Sequence, residues 1–194
     1  MARAPEPSQE KKRLRREMIA RRDAMPAALR ERLAAAMARH VASLSEYRSA
    51  RTVLATMSIG SEWSTLAFLD RARADGKTIV LPRISADAPK RLELHAVEDL
   101  QRDLVPGVWD IPEPDPARCR KVDVSAVDFA LVPALAADRA NYRLGYGAGY
   151  FDGLLGSRKV RPYCVTALPS PFIVESLPRE PHDVPVDVVL AEEP

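Results

Sequence analysis

At 194 residues the chain has the length of one domain and is short for two, on the usual ~100–200 residues per domain. Its composition, 46% hydrophobic and 29% charged, suffices for a buried core. No run of about 18 apolar residues occurs, which excludes a spanning helix. The charged opening MARAPEPSQEKKRLRRE has no apolar stretch behind it and so argues against a secretory signal. Cys119 and Cys164 are far apart and form no C-x-x-C, which excludes a disulfide scaffold or zinc finger and fits a reduced, cytoplasmic protein. The formal charge of +2 is uneven: the positive excess lies between Glu10 and Arg32, and the rest of the chain is net acidic. That segment either attracts an anionic ligand or is a solvated helix face.

Residues 1–8 are small, polar and proline-bearing and are expected to be disordered, leaving residues 9–194 as a single domain. Glu10–Asp23 contains no helix breaker, with Leu14, Met18 and Ile19 as its narrow apolar stripe. A second helix starts at Pro26 and runs to about Leu44, with Leu29, Leu33, Met37 and Val41 at helical spacing. Thr52–Met57 reads as a short buried strand. A helix capped by Ser64 or Thr65 follows to Asp75, ended by Gly76. Lys77–Leu81 is a strand stopped by Pro82, and the alternation of Leu92–Val97 predicts a half-exposed third. Pro106–Pro116 is too rich in proline for a helix interior or central strand. Val127–Val132, Pro162–Leu168 and Asp187–Leu190 are the remaining strands. Two opening helices followed by alternating strands and helices predict an α/β layered domain.

Asn141–Leu155, NYRLGYGAGYFDGLL, carries the most chemical information. Gly145, Gly147 and Gly149 alternate between a strand and a helix starting near Tyr150. Such a loop can turn backbone amides toward an anion, with the helix dipole and Arg143 adding positive potential. Asp152, just inside the helix, is placed to hold magnesium against bound phosphates. The plainer alternative is a glycine-rich turn with a capping aspartate. Neither the P-loop nor the dinucleotide fingerprint fits.

This run resembles the R-L-G-x-G-x-G-Y-[YF]-D signature of the 5-formyltetrahydrofolate cyclo-ligase family, also called 5,10-methenyltetrahydrofolate synthetase. Further segments resemble the family in the same order: KKRLRREMIARRDAM its basic first helix, MSIGSEWST its substrate-contacting stretch, GKTIVLPR its second strand, Val108–Pro114 its G-x-x-I-x-E-P segment, and PREPHDVPVD its closing segment. Ala148 and Phe151 depart from the family's usual residues, as do Ala134 (usually glycine) and Ala137 (usually phenylalanine). The change at position 137 bears on either a pterin wall or a core contact.

The resemblance implies a three-layer α/β/α domain with a mixed, largely parallel sheet. It also implies ATP- and Mg2+-dependent cyclisation of 5-formyltetrahydrofolate to 5,10-methenyltetrahydrofolate, through an N5-iminium phosphate, with release of ADP and phosphate. The residues carried over for ATP are Lys11, Lys12, Arg13, Leu14 and Arg15, with Arg143, Leu144, Gly145, Tyr146, Gly147, Ala148, Gly149, Tyr150 and Phe151. Those for the folate are Met57, Glu62 and the loop from Tyr146 to Tyr150; those for the metal are Asp152 and Asp187. Arg143 and Tyr150 are the expected catalytic residues. Two alternatives stay open: a folate- or nucleotide-binding protein without turnover, and a related ATP-using enzyme acting on another N-formyl compound.

Asp183 is four residues from Asp187, but Pro185 forbids an ordinary helical pairing, and Asp183 receives no role. His40, His95 and His182 show no metal spacing. Cys119, among arginines and a lysine, could be somewhat acidic but lacks a partner base. Trp63 and Trp109 suit either a pterin wall or the core. The basic helix lacks interleaved aromatics and any reading-module signature, so no nucleic-acid partner is expected, nor a membrane. The protein is expected to act as a monomer.

Overall fold

A computed structural model describes residues 6–88, 90–156 and 161–193. Helix α1 (Pro7–Asp23) starts three residues before the break-free stretch, because a proline fits the first turn, where its missing N–H is not needed. Of the segment expected to be disordered, residues 1–5 lie outside the described residues, whereas Pro7 and Ser8 are helical. Helix α2 (Ala27–Ser43) buries Leu33, Met37 and Val41, as the spacing requires. A five-residue helix, α3 (Ser45–Ser49), follows and is too short to leave a periodic signal. Strand β1 (Thr52–Leu54) leads through a long loop to α4 (Leu66–Ala74), which ends before Gly76 at φ +71°.

Strand β2 (Thr78–Ile84) continues through Pro82 rather than stopping there. The ladder to β1 has already ended at the Leu54–Val80 pair, so Pro82 has the edge-like position that tolerates a missing donor. Strand β3 (Leu92–Val97) follows. The proline-rich stretch forms a small antiparallel ribbon of β4 (Leu104–Pro106) and β5 (Pro112–Pro114). At its tip, two consecutive non-glycine residues, Trp109 and Asp110, have φ +58°. The chain goes on through β6 (Lys121–Val122), β7 (Phe129–Leu131), β8 (Ala136–Asp138), β9 (Arg143–Leu144), α5 (Tyr150–Gly156), β10 (Tyr163–Pro169), β11 (Ile173–Val174) and β12 (Val188–Glu192).

Seven strands form the main sheet in the order β12-β10-β7-β1-β2-β3-β6. The five from β12 to β2 are parallel, and β3 and β6 extend the sheet antiparallel. Both faces are covered, so successive strand residues enter different cores. Val53, Ile79, Leu81, Phe129 and Val165 face α2, α3 and α4, whereas Leu54, Val80, Ala130 and Cys164 face the side of α5. This is the three-layer α/β/α arrangement. A third core joins α1 to the small sheet β11-β8-β9 through Met18, Ala136, Ala137 and Leu144.

Tyr47 ties the first core together. Its ring is fully buried, with centroids 5.6 Å from Phe68 and 5.7 Å from Phe129, and its hydroxyl donates to Asp75 at 3.0 Å. Tyr47→Ala should destabilise by about 3–5 kcal/mol through the cavity it leaves. Tyr47→Phe, which keeps the ring, should lose only about 1 kcal/mol. Urea unfolding of the three proteins checks the order.

Candidate active site

The C-terminal ends of β1, β2 and β7 open on one cleft of about 530 Å3, the usual place for a ligand in an open α/β sheet. One wall is apolar: Leu81, Pro82 and Ile84 from β2, with Ile111 and Trp109 from the ribbon. Trp109 is 66% exposed at the rim. The other wall is polar and comes from four separate parts of the chain: α1, the loop after β1, the loop before α5, and the closing segment around residue 180.

Helix α1 contributes Lys11 and Arg15, one turn apart and therefore on one face. Lys12 and Arg13 face solvent; Arg13 pairs with Glu10 at 2.6 Å and Glu17 at 3.0 Å, and Leu14 packs into the third core. Of the five α1 residues expected to meet a nucleotide, the structure brings two, Lys11 and Arg15, to the cleft. The Lys11 ammonium is buried and donates to Glu180 at 2.8 Å and to both Asp183 oxygens at 2.7 and 2.6 Å. That bond is the main cause holding the Glu180 carboxyl below its usual range. Arg15 donates from Nε to the Gly145 carbonyl at 2.8 Å.

The glycine loop lies directly across from them. Gly147 (φ +109°) and Gly149 (φ +73°) need the conformational freedom of glycine, and a Cβ on Gly147 would stand 3.2 Å from the Arg15 guanidinium carbon. Gly145 has an ordinary φ and open space around it. Among the described residues, the N–H groups of residues 145–149 donate to no acceptor. Ala148, Tyr150 and Phe151 also line the cleft. Arg143 also lines the cleft, with its side chain 3% exposed, donating to the Val184 carbonyl at 2.6 Å and to Asp152 Oδ1 at 3.1 Å. It ties the start of α5 to the closing segment.

Asp152 accepts a second bond on the same oxygen, from Val184 N–H at 3.1 Å, and its Oδ2 has no partner among the described residues. Asp187 is not brought to the cleft lining: Oδ1 holds Arg161 at 2.8 Å and Oδ2 the Cys164 N–H at 2.7 Å. Met57 and Glu62 both reach the cleft from the loop after β1, and Glu62 accepts from the Ile59 N–H at 3.1 Å. Tyr146 spans the two loops, its hydroxyl against Glu62. Burial first, then the Glu62 charge and hydrogen bond, push the phenol well above its usual range.

A family model described as the 5-formyltetrahydrofolate cyclo-ligase family matches residues 7–192. A 5-formyltetrahydrofolate cyclo-ligase from Mycolicibacterium smegmatis is 33% identical over 93% of this chain and 92% of its own. One from Mus musculus is 26% identical over 94% of each. The NMR structure of Aquifex aeolicus 5,10-methenyltetrahydrofolate synthetase superposes with a TM-score of 0.80 at 29% identity, covering 93% of this chain and 89% of that one. The chain belongs to the 5-formyltetrahydrofolate cyclo-ligase family.

Several expectations take a definite form within this family fold. Ala137 is fully buried in the third core with Met18 and Phe172, so the missing aromatic is a core contact and not a cleft wall. Ala134 borders a separate cavity of about 60 Å3 behind Glu62. Burial raises both thiols, Cys164 to about 11, so Cys119 is not the acidic cysteine that its neighbours in sequence suggested. His95 is buried on β3, bonded through Nδ1 to the Cys119 carbonyl at 3.0 Å; His40 and His182 are exposed. Trp63 packs edge-on against Phe172.

Sequence reasoning missed Asp183, Glu180 and Arg22. Asp183 was read only for helical pairing, although a loop can fold it back onto α1. Arg22 lies on the face of Lys11, Arg15 and Met18, at i, i+4, i+7 and i+11, and that spacing was the available signal.

The caged ammonium generates a pH prediction. A carboxyl lowered in the folded state stabilises above its unfolded value, here about 4.5, and the gain is lost as pH falls through the lower folded value. Lys11→Met should therefore be less stable than the parent at neutral pH, with the gap closing in solution well below pH 4.5. Urea midpoints across that range test it.

Proposed function

We propose that this protein converts 5-formyltetrahydrofolate to 5,10-methenyltetrahydrofolate with Mg2+-ATP, releasing ADP and phosphate. The supporting observation is convergence: loop amides without an acceptor among the described residues, Lys11 and Arg15 from α1, and Met57 and Glu62 from the loop after β1 face one cleft.

The chemistry explains the residue types. A formamide carbon is a poor electrophile and its oxygen a poor leaving group. Transfer of the ATP γ-phosphoryl forms a bond from the formyl oxygen to phosphorus and breaks the bond to the β-phosphate, giving ADP and an N5-iminium phosphate. The N10 lone pair then bonds to the activated carbon, the C–O bond breaks with the electrons leaving on phosphate, and N10 loses its proton as the ring closes. Such steps need positioning and charge stabilisation more than a covalent nucleophile.

In this reading the amides of residues 145–149 receive the phosphates, with Lys11 and Arg15 neutralising charge. Arg143, in the cleft lining and tied to Val184 and Asp152, adds its positive charge beside the phosphates. Tyr150, first in α5, faces both ligands. Glu62 accepts from pterin N–H donors, and Met57 packs on the ring. Asp152 fits a magnesium ion through the oxygen that has no partner among the described residues, and the ion would offset phosphate charge there. Asp187 would serve only after releasing Arg161.

Purified protein with Mg2+-ATP and 5-formyltetrahydrofolate should form the methenyl product, followed by its near-ultraviolet absorbance, with strict ATP dependence. Ligand binding without turnover would instead indicate a binding protein, and ATP hydrolysis stimulated only by another N-formyl compound a different substrate. Asp152→Asn should abolish turnover while leaving the circular dichroism spectrum unchanged; full activity would remove the metal assignment. Gly147→Ala, strained at φ +109° and crowding Arg15, should raise the KM for ATP about tenfold or more while the folate KM moves less, as steady-state kinetics will show.

A further inference from the structure

Arg22 presents an anomaly. Its residue exposure is 5%, yet no carboxylate lies within ion-pair distance of its guanidinium among the described residues. A buried cation without a direct counter-charge is costly unless its environment compensates. Here the compensation comes through two hydroxyls. Arg22 Nε donates to Ser61 Oγ at 3.0 Å, and Ser61 in turn donates to Asp23. Arg22 Nη1 donates to the Tyr146 hydroxyl at 2.6 Å, and Glu62 lies on the far side of that hydroxyl. Each carboxylate is thus one hydroxyl away from the guanidinium.

These two partners belong to different parts of the cleft. Ser61 sits beside Glu62 in the loop after β1, and Tyr146 sits in the glycine loop. One side chain of α1 therefore fastens both. We propose that Arg22 is a positioning residue that sets the two ligand loops against each other and holds the Glu62 carboxylate in place as an acceptor for the folate, acting through the Tyr146 hydroxyl. The assignment of the folate to Glu62 rests on the reading given under Proposed function; the fastening of the loops does not.

The planar fork of an arginine is required, because its Nε and Nη1 reach two acceptors in different directions at once. A lysine carries all its donors on one atom and cannot stand at both the Nε and the Nη1 positions. The open side of Tyr146, 43% exposed, explains why its ring can face a ligand while its hydroxyl remains tethered.

The test uses the full chain, free of ligand, and three variants: Arg22→Met, Arg22→Lys and Tyr146→Phe. Backbone 15N relaxation should show order parameters falling in both residues 58–62 and 145–149 in Arg22→Met, with the central sheet unchanged. Tyr146→Phe should loosen residues 145–149 alone. Hydrogen bonds to a charged group predict a rise of about 10–100-fold in the KM for 5-formyltetrahydrofolate in Arg22→Met and Tyr146→Phe, with kcat and the KM for ATP moving less. Arg22→Lys should recover only part of either effect. Unchanged order parameters in either loop of Arg22→Met, or a normal folate KM in both Arg22→Met and Tyr146→Phe, would overturn the proposal. Absence of turnover in the parent protein would defeat the functional reading and the Glu62 part with it, while the relaxation measurements would still decide whether Arg22 fastens the loops.

Discussion

The polar half of the cleft depends on one helix burying positive charge. Lys11, Arg15, Met18 and Arg22 lie along a single face of α1, and three of the four are cations directed into the protein. Between them they reach three pieces of chain: Lys11 the segment around residue 180, Arg15 the glycine loop, and Arg22 both the glycine loop and the loop after β1. Among the described residues, none of these loops is held to another by a strand ladder of its own. The helix therefore serves as the common frame, and the apolar contacts of Met18, Leu14 and Ile19 with the third core fix where that frame sits. A cationic face packed this way is tolerable only because every charge meets an oxygen acceptor.

The same arrangement explains what could and could not be read beforehand. Periodicity found the α1 helix but took Leu14, Met18 and Ile19 as its inward stripe, whereas the buried members are Lys11, Met18 and Arg22. Hydropathy patterns presume that apolar residues face inward, and a helix that buries ion partners violates the presumption. Six strands of the main sheet were legible because they are short apolar runs between turn signals, whereas β6, two residues long, has too few positions to show a pattern. Pro82 misled because the rule for central strands applies only where both neighbours are present, and β1 ends before reaching it.

The glycine loop was legible for a different reason. Positive φ at Gly147 and Gly149 is a backbone requirement that only one residue type meets freely, so it leaves a mark on the sequence itself. Acidic residues leave no such mark. Asp152, Asp183 and Asp187 all sit in contexts rich in proline or glycine, and what separates them is which partner the folded chain brings up: Val184 and Arg143, Lys11, or Arg161 and Cys164. Those partners are 9 to 172 positions away along the chain, a separation that no local spacing rule can bridge.

The charge distribution has a consequence for how a polyanion would enter. Lys11 is already matched by Glu180 and Asp183, Arg143 by Asp152, and Arg22 is relayed to Glu62 and Asp23. A phosphate approaching any of these cations must displace or share an existing partner, and the pair of acids around Lys11 would repel it at close range. The amides of residues 145–149 have nothing to give up. In the proposed reaction they, with the Arg15 guanidinium held only through Nε by the Gly145 carbonyl among the described residues, can meet the phosphates without rearrangement. The caged lysine would then contribute once a cation has arrived with the nucleotide to take over the charge of Glu180 and Asp183. Order of engagement in this cleft thus follows from which donors the folded chain leaves free, and not from which side chains carry the most charge.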